Sequence, residues 1–241
     1  MKRRTFLVGV GCTWISRPLW AKAPGGVDFA QGAKMALVPH DHTTVMQFLF
    51  ENLSELEPWL RKRRPGADIS QADALEALKH LQSLRPGGDR NKQVIDVCIQ
   101  MHPVLTEKRR SIDRAVQSDL TSLEQNLKAA KNLEDLGALL AKERGRVRSK
   151  KVPSLDTSLD VAQAIYDDAM KHQLYTSFRA VKTGRGKWIP SMKDVAEIAA
   201  QDLLGAAAGA AMGAAAGAAV GGVVGGIAAS GQTVVSKYYN H

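Results

Sequence analysis

Apolar residues along most of the chain recur at three- and four-residue spacing, the period of a helix with one buried face. Val45, Met46, Leu49, Phe50 and Leu53 follow Asp41, which is placed to cap their helix. Ser54 restarts the pattern toward Trp59 and Leu60, and the run Arg61-Lys-Arg-Arg64-Pro65-Gly66 ends it. Ser70 and Asp73 have capping-box spacing ahead of Leu75, Leu78, Leu81 and Leu84, and Arg85-Pro-Gly-Gly88 closes that unit. Val94, Ile95, Cys98 and Ile99 suit a buried helix face, with a strand as the alternative because of their β-branching. Pro103 then permits a new long helix striped by Leu105, Ile112, Val116, Leu120, Leu123 and Leu127. The stripe resumes at Leu133, Leu136, Leu139 and Leu140 and stops near Gly145, a pattern that antiparallel packing within the chain accommodates. Ser158 to about Leu174 gives a further helix with Val161, Ala162, Ile165, Ala169 and Met170 inward, followed by the basic turn Lys182-Thr-Gly-Arg-Gly-Lys187. Aromatic residues make up only 5% of the chain and alternating β-branched runs are few, which argues against a sandwich or barrel and leaves a helical protein as the default. The expected fold is all-α, a multi-helix bundle with an Ala/Gly-rich C-terminal helix or helical hairpin.

The tail breaks this pattern. From Leu203 to Ala229 there are 27 consecutive residues without charge, of which 12 are Ala and 8 Gly. Gly205, Gly209, Gly213, Gly217, Gly221 and Gly225 recur every fourth position and lay a groove along one helical face. In water each glycine costs about 0.8–1.0 kcal/mol of helix propensity relative to alanine, so close packing must offset the loss. A continuous helix over this stretch, at about 1.5 Å per residue, is long enough to cross a bilayer core of about 30 Å. Trp188 before it and Lys237, Tyr238 and Tyr239 after it have the character of interfacial anchors. A hairpin folded near Gly221-Gly222 or Gly225-Gly226 is the alternative to a single span.

The Asp202-Leu-Leu-Gly-Ala-Ala-Ala-Gly pattern, continuing as Gly-Ala steps to Ser230, resembles the glycine-zipper tails of small bacterial exported proteins. These include bacteriocin-like peptides, envelope lipoproteins and pore-forming toxins. The resemblance covers residues 202–231 only and implies membrane insertion or self-association.

The N-terminus reads as an export signal: Lys2-Arg3-Arg4, a short apolar core from Phe6 to Ile15, and the small-x-small pattern Ala21-Lys-Ala23. Arg3, Arg4, Phe6 and Leu7 match the twin-arginine motif, which the segment resembles; Lys2 and Val8 depart from it, and an ordinary secretory signal is the alternative. This segment changes the meaning of the net charge of +9. It carries five basic residues and no acid, leaving 28 basic against 24 acidic residues and a net of +4. A nucleic-acid partner is not indicated, because no aromatic-flanked basic face or recognition helix is present. The densest basic run, Arg144 to Lys151, reads as a solvated linker or a contact for anionic headgroups. With Cys12 in the signal, Cys98 is the one remaining cysteine and has no partner for an internal disulfide.

Catalytic motifs are lacking: there is no nucleophile elbow, no Walker loop and no Cys/His ligand set at recognisable spacing. His40-Asp-His42 offers two imidazoles to a metal from a loop but not from one helical face, Cys98 and His102 read as a buried thiol beside a helix-end histidine, and Asp167-Asp168 as an exposed turn. No catalytic residue, metal site or cofactor is assigned, and an enzyme is not the expectation. The chain divides into a signal peptide (1–23), a helical domain (24–152), a helical segment (153–202), the zipper (203–229) and a C-terminal tail (230–241). The expected function is that of an exported protein, periplasmic, membrane-associated or secreted, whose self-associating zipper meets membrane lipids as an anchor or pore. The alternative is a soluble periplasmic binding or structural protein whose zipper is a packed terminal hairpin.

Overall fold

A computed structural model of the chain describes residues 36–63, 68–85, 88–150, 153–178, 181–183, 186–213 and 217–240. The export segment, with Arg3, Arg4, Phe6 and Leu7, lies outside the described residues. Within them the protein is an all-α bundle with one small β-hairpin. Helix α1 (Pro39–Glu51) leads through a 3-10 turn (Leu53–Leu56) into α2 (Glu57–Arg63), α3 (Gln71–Leu84), α4 (Asp89–Arg109), α5 (Arg114–Leu127), α6 (Leu133–Lys150) and α7 (Pro153–Lys171). Strands β1 (Val181–Thr183) and β2 (Gly186–Trp188) pair antiparallel, and α8 (Met192–Met212) and α9 (Ala218–Asn240) complete the chain.

Helix starts follow capping chemistry. Ser70 accepts from the Asp73 N–H at 3.1 Å while the Asp73 carboxylate accepts from the Ser70 N–H at 3.0 Å, a complete capping box, and Ser191 and Asp194 repeat it at 3.1 and 2.9 Å. Asp41 is not the cap of α1. Pro39 takes the first helical position, and Asp41, in the third, reaches back to the Val38 N–H at 2.8 Å.

Four expectations change. Helix α4 runs through Pro103 instead of restarting there, while residues 91–101 are helical as their apolar face suggests. The long helix expected from Leu105 to Leu127 is broken, because Asp113 accepts from the Ala115 N–H at 2.7 Å and starts a separate helix. Helix α6 passes Gly145 and takes in the basic run as far as Lys150, where Arg148 and Lys150 complement the negative helix end. Met170 on α7 is 39% exposed, so it does not belong to the inward face.

Helices α8 and α9 form an antiparallel hairpin at the centre, bordered by α1, α3, α4 and α7. Helix α8 ends at Met212 and α9 begins at Ala218, so the connection precedes both doubled glycines. Gly213 ends α8 with its N–H on the Gly209 carbonyl, and Gly217 has φ +94°, a conformation that strains any L side chain. Met46 and Leu49 of α1, Leu78 of α3, Ile95 and Cys98 of α4, and Ile165 of α7 are all fully buried with Leu203, Val224, Ile227 and Val234 of the hairpin. Burial pushes the Cys98 thiol well above its ordinary range, so it stays a protonated packing group.

Candidate functional site

The zipper glycines face one another within one chain. A methyl group on Gly205 would stand 2.7 Å from Ala229 Cβ and 2.8 Å from the Gly225 carbonyl carbon. On Gly209 it would stand 2.8 Å from the Gly221 carbonyl carbon, and on Gly213 2.9 Å from Gly221 Cα. The relation is reciprocal: on Gly225 it would meet Gly209 Cα at 3.0 Å, and on Gly221 it would meet Gly213 Cα at 2.8 Å. Backbone therefore lies on backbone between residues 205–213 of α8 and 221–225 of α9, which is the close approach that small residues permit. Gly217, fourth in the register, serves the turn instead.

The doubled glycines give α9 a second groove on another face. Gly222 packs against Val161 of α7, and a methyl group on Gly226 would meet His42 Cδ2 of α1 at 3.1 Å. Beside it a polar cluster closes the core. His42 Nε2 lies 2.8 Å from Asp202 Oδ1, the Tyr175 hydroxyl donates to Asp202 Oδ2 at 2.7 Å, and all three residues are almost completely buried. With Asp202 ionised the carboxylate only accepts, and His42 presents the tautomer that donates from Nε2. One turn further along, Ser230 donates to the Gly226 carbonyl at 2.8 Å and its Oγ lies 3.2 Å from Met46 Sδ. Burial first, and then the Asp202 charge, raise the Tyr175 phenol well above its ordinary range and keep it a neutral donor. The cluster joins α1, the segment after α7, α8 and α9 at one point. Asp202 is followed in the sequence by the uncharged stretch, so a charge at that boundary was the available signal for it.

The residues expected to anchor at a membrane interface are packed in the fold. Trp188 is 2% exposed and sits with its ring centroid 6.1 Å from Phe50 and 6.4 Å from Tyr238, itself 2% exposed. Burial, then the charge and hydrogen bond of Glu57, push the Tyr238 phenol up to about 12. Lys237 lies 2.7 Å from Asp194 and 2.8 Å from Glu197, tying the end of α9 to the start of α8. Burial works against its charge, but those two carboxylates outweigh it and raise its pKa. Tyr239 is partly buried against the core.

Among the described residues of the basic run, Arg144, Arg146, Arg148 and Lys150 are all ion-paired within the fold. Arg146 pairs with Asp119 at 2.9 Å and Glu143 at 2.7 Å, Lys150 with Asp119 at 3.1 Å, and Arg148 with Asp156 at 3.1 Å; Arg144 pairs with Asp160. The Arg146 hydrogen bond is the main cause that holds Asp119 below the usual carboxylate range. Neither a linker nor a free headgroup contact describes these side chains.

Two surface features remain. A groove of about 300 Å³ opens between α4, α5 and the hairpin, with Leu204, Gly205, Ala208 and Ala229 on its floor and His102, Arg109 and Lys128 among its rim residues. His102 is hydrogen-bonded to Gln71 at 3.1 Å, not paired with Cys98, and burial lowers its pKa. The second feature lies at the start of α1. His40 and His42 point to opposite sides, His42 into the core and His40 to the surface, where it meets Asp168 and His172. The four-residue spacing of Asp168 and His172 was legible in the sequence, but their meeting with His40 was not. No protein-family profile, curated protein or solved structure matches this chain.

Proposed function

We propose that this chain is an exported bacterial protein that works as a soluble, folded helical bundle, a binding or structural module whose glycine zipper is its own core. One observation carries the reading: the glycine faces of α8 and α9 are occupied by each other, backbone on backbone. A zipper used to associate with other copies or to line a pore needs that face open. The buried positions of Trp188 and Tyr238 and the ion-paired ends of the hairpin support the same reading. So does Asp202, since carrying a carboxylate into lipid costs several kcal/mol. The groove above the hairpin, with small and apolar residues on its floor and Arg109 and the Lys128–Glu124 ion pair at its rim, is the surface we assign to a bound partner.

A second reading has one observation in its favour. Helix α9 spans 23 residues and holds an 18-residue stretch of mean hydropathy 1.4, long and apolar enough to cross a membrane if the hairpin leaves the bundle, although 72% of that stretch is buried. Vesicle flotation with dye release separates the two. The purified chain, added to anionic vesicles without detergent, is expected to stay in the dense fraction and release no dye. Flotation accompanied by dye release would overturn the soluble reading and support an anchor or pore.

A further inference from the structure

Residues two apart on a helix are separated by about 200° around its axis, which is why His40 and His42 cannot share a ligand. Helix geometry breaks the His-Asp-His pair seen in the sequence and builds a different set in its place. His40 Nδ1 lies 3.3 Å from Asp168 Oδ2, and His172 Nε2 lies 3.6 Å from Asp168 Oδ1. The two imidazole centroids are 4.5 Å apart, and one donor atom from each of the three residues falls within 4.8 Å of the others.

Each nitrogen faces its own oxygen of Asp168 at a separation close to that between two ligands of one metal ion. A tetrahedral zinc ion with bonds of about 2.0–2.1 Å holds neighbouring donor atoms about 3.3 Å apart. Two imidazoles and one carboxylate form a donor set suited to zinc, with a further coordination position left for water. The side chain of His40 is 52% exposed, so an ion has a path in from solvent.

The positioning of the three ligands is a second, independent feature. The Thr43 hydroxyl donates to Asp168 Oδ2 at 2.6 Å, the outer hydrogen bond that orients a ligating carboxylate. His172 is held by the way α7 ends. The Leu174 N–H bonds the Ala169 carbonyl at 2.9 Å and the Gln173 N–H the Met170 carbonyl at 3.1 Å, a Schellman cap with Gln173 at φ +57° where glycine is usual. The chain thus accepts a left-handed non-glycine residue immediately after a ligand.

The geometry points to a zinc-binding site formed by His40, Asp168 and His172, joining the start of α1 to the end of α7. It is separate from the groove and from the zipper, and it stands whether or not the soluble reading holds. Calorimetric titration of the full chain with zinc chloride tests it, with cobalt(II) absorption as the report on coordination. We expect one equivalent bound, a visible cobalt spectrum of tetrahedral or five-coordinate type, and affinity at least about tenfold weaker in each of His40→Ala, His172→Gln and Asp168→Asn. Thr43→Val weakens it less, and His80→Ala, elsewhere on the surface, leaves it unchanged. Far-UV circular dichroism confirms that each variant compared is folded. Absence of zinc binding to the native chain, or binding equal in native and folded ligand variants, would overturn the site.

Discussion

Replacing Gly209 by alanine isolates the close approach on which the hairpin depends. The new methyl would lie 2.8 Å from the Gly221 carbonyl carbon and 3.1 Å from Gly225 Cα, where ordinary contact begins at 3.4 Å. Both neighbours are backbone, so no side chain can rotate away, and α8 and α9 must separate by roughly 1 Å. Overpacking of this kind costs about 1–3 kcal/mol, and separation also loosens the glycine contacts on either side. Against this, alanine contributes about 0.8–1.0 kcal/mol of helix propensity. Gly145 supplies the control: it is exposed within α6, and an added methyl there meets nothing within 4 Å. The two substitutions are chemically identical and should differ in sign. Gly145→Ala should stabilise by up to about 1 kcal/mol, and Gly209→Ala should destabilise by about 1–2 kcal/mol net, or roughly 2–8 °C in thermal midpoint. Urea unfolding followed by circular dichroism, on monomeric protein, measures both. If Gly209→Ala proves as stable as Gly145→Ala, the intramolecular zipper is wrong.

The buried cluster makes a graded prediction. Asp202→Ala leaves two buried donors unpaired and should cost about 3–5 kcal/mol, whereas Tyr175→Phe removes one hydrogen bond and should cost about 1–2 kcal/mol; equal small losses in urea unfolding would count against the cluster. Burial raises the Asp194 carboxyl, but Lys237 and Ser191 outweigh it and hold its pKa down to about 2. A carboxylate depressed in the folded state adds stability that is complete above its unfolded value near 4 and is lost as pH falls from about 4 to 2. Lys237→Met should therefore reduce stability at neutral pH and flatten the acid limb in that window, by up to about 2 kcal/mol less surface screening; an unchanged profile from pH 2 to 5 would contradict it. Gln173→Gly relieves the left-handed cap of α7 and should raise stability by up to about 1 kcal/mol, read from the thermal midpoint, and a lowered midpoint would show that the glutamine makes contacts worth more than the strain.

The helices were legible because their apolar spacing and caps are local. Ser70 with Asp73 and Ser191 with Asp194 form the boxes that their spacing suggests. Pro103 misled because a proline lacks one donor yet can be carried inside a helix whose faces are packed, as α4 is. The glycine register showed that backbone would meet backbone, but a four-residue period is equally suited to a second chain or to a second half of the same chain. In the fold the second half of the same chain fills the groove, and Gly217, at φ +94° just before α9, is not marked out in the sequence from the other five glycines of the register. The doubled glycines at 221–222 and 225–226 look like a hinge on paper. In the fold they are two grooves on one helix, the second seating His42 and Val161. Asp202, Tyr175 and His42 come from three distant stretches, and so do His40 and the pair Asp168 and His172, so no local pattern could have joined them.

Carbodiimide cross-linking tests the closed hairpin most directly, because Lys237 lies 2.8 Å from Glu197 and 2.7 Å from Asp194. Chains grown in heavy and light nitrogen are mixed, treated without detergent and digested for mass spectrometry. The account predicts Lys237 linked to Glu197 or Asp194 in all-light and all-heavy pairs only, with the same pattern when anionic vesicles are present. Mixed-isotope pairs, or loss of the link on adding vesicles, would show that the zipper is closed by another chain or opened by a membrane.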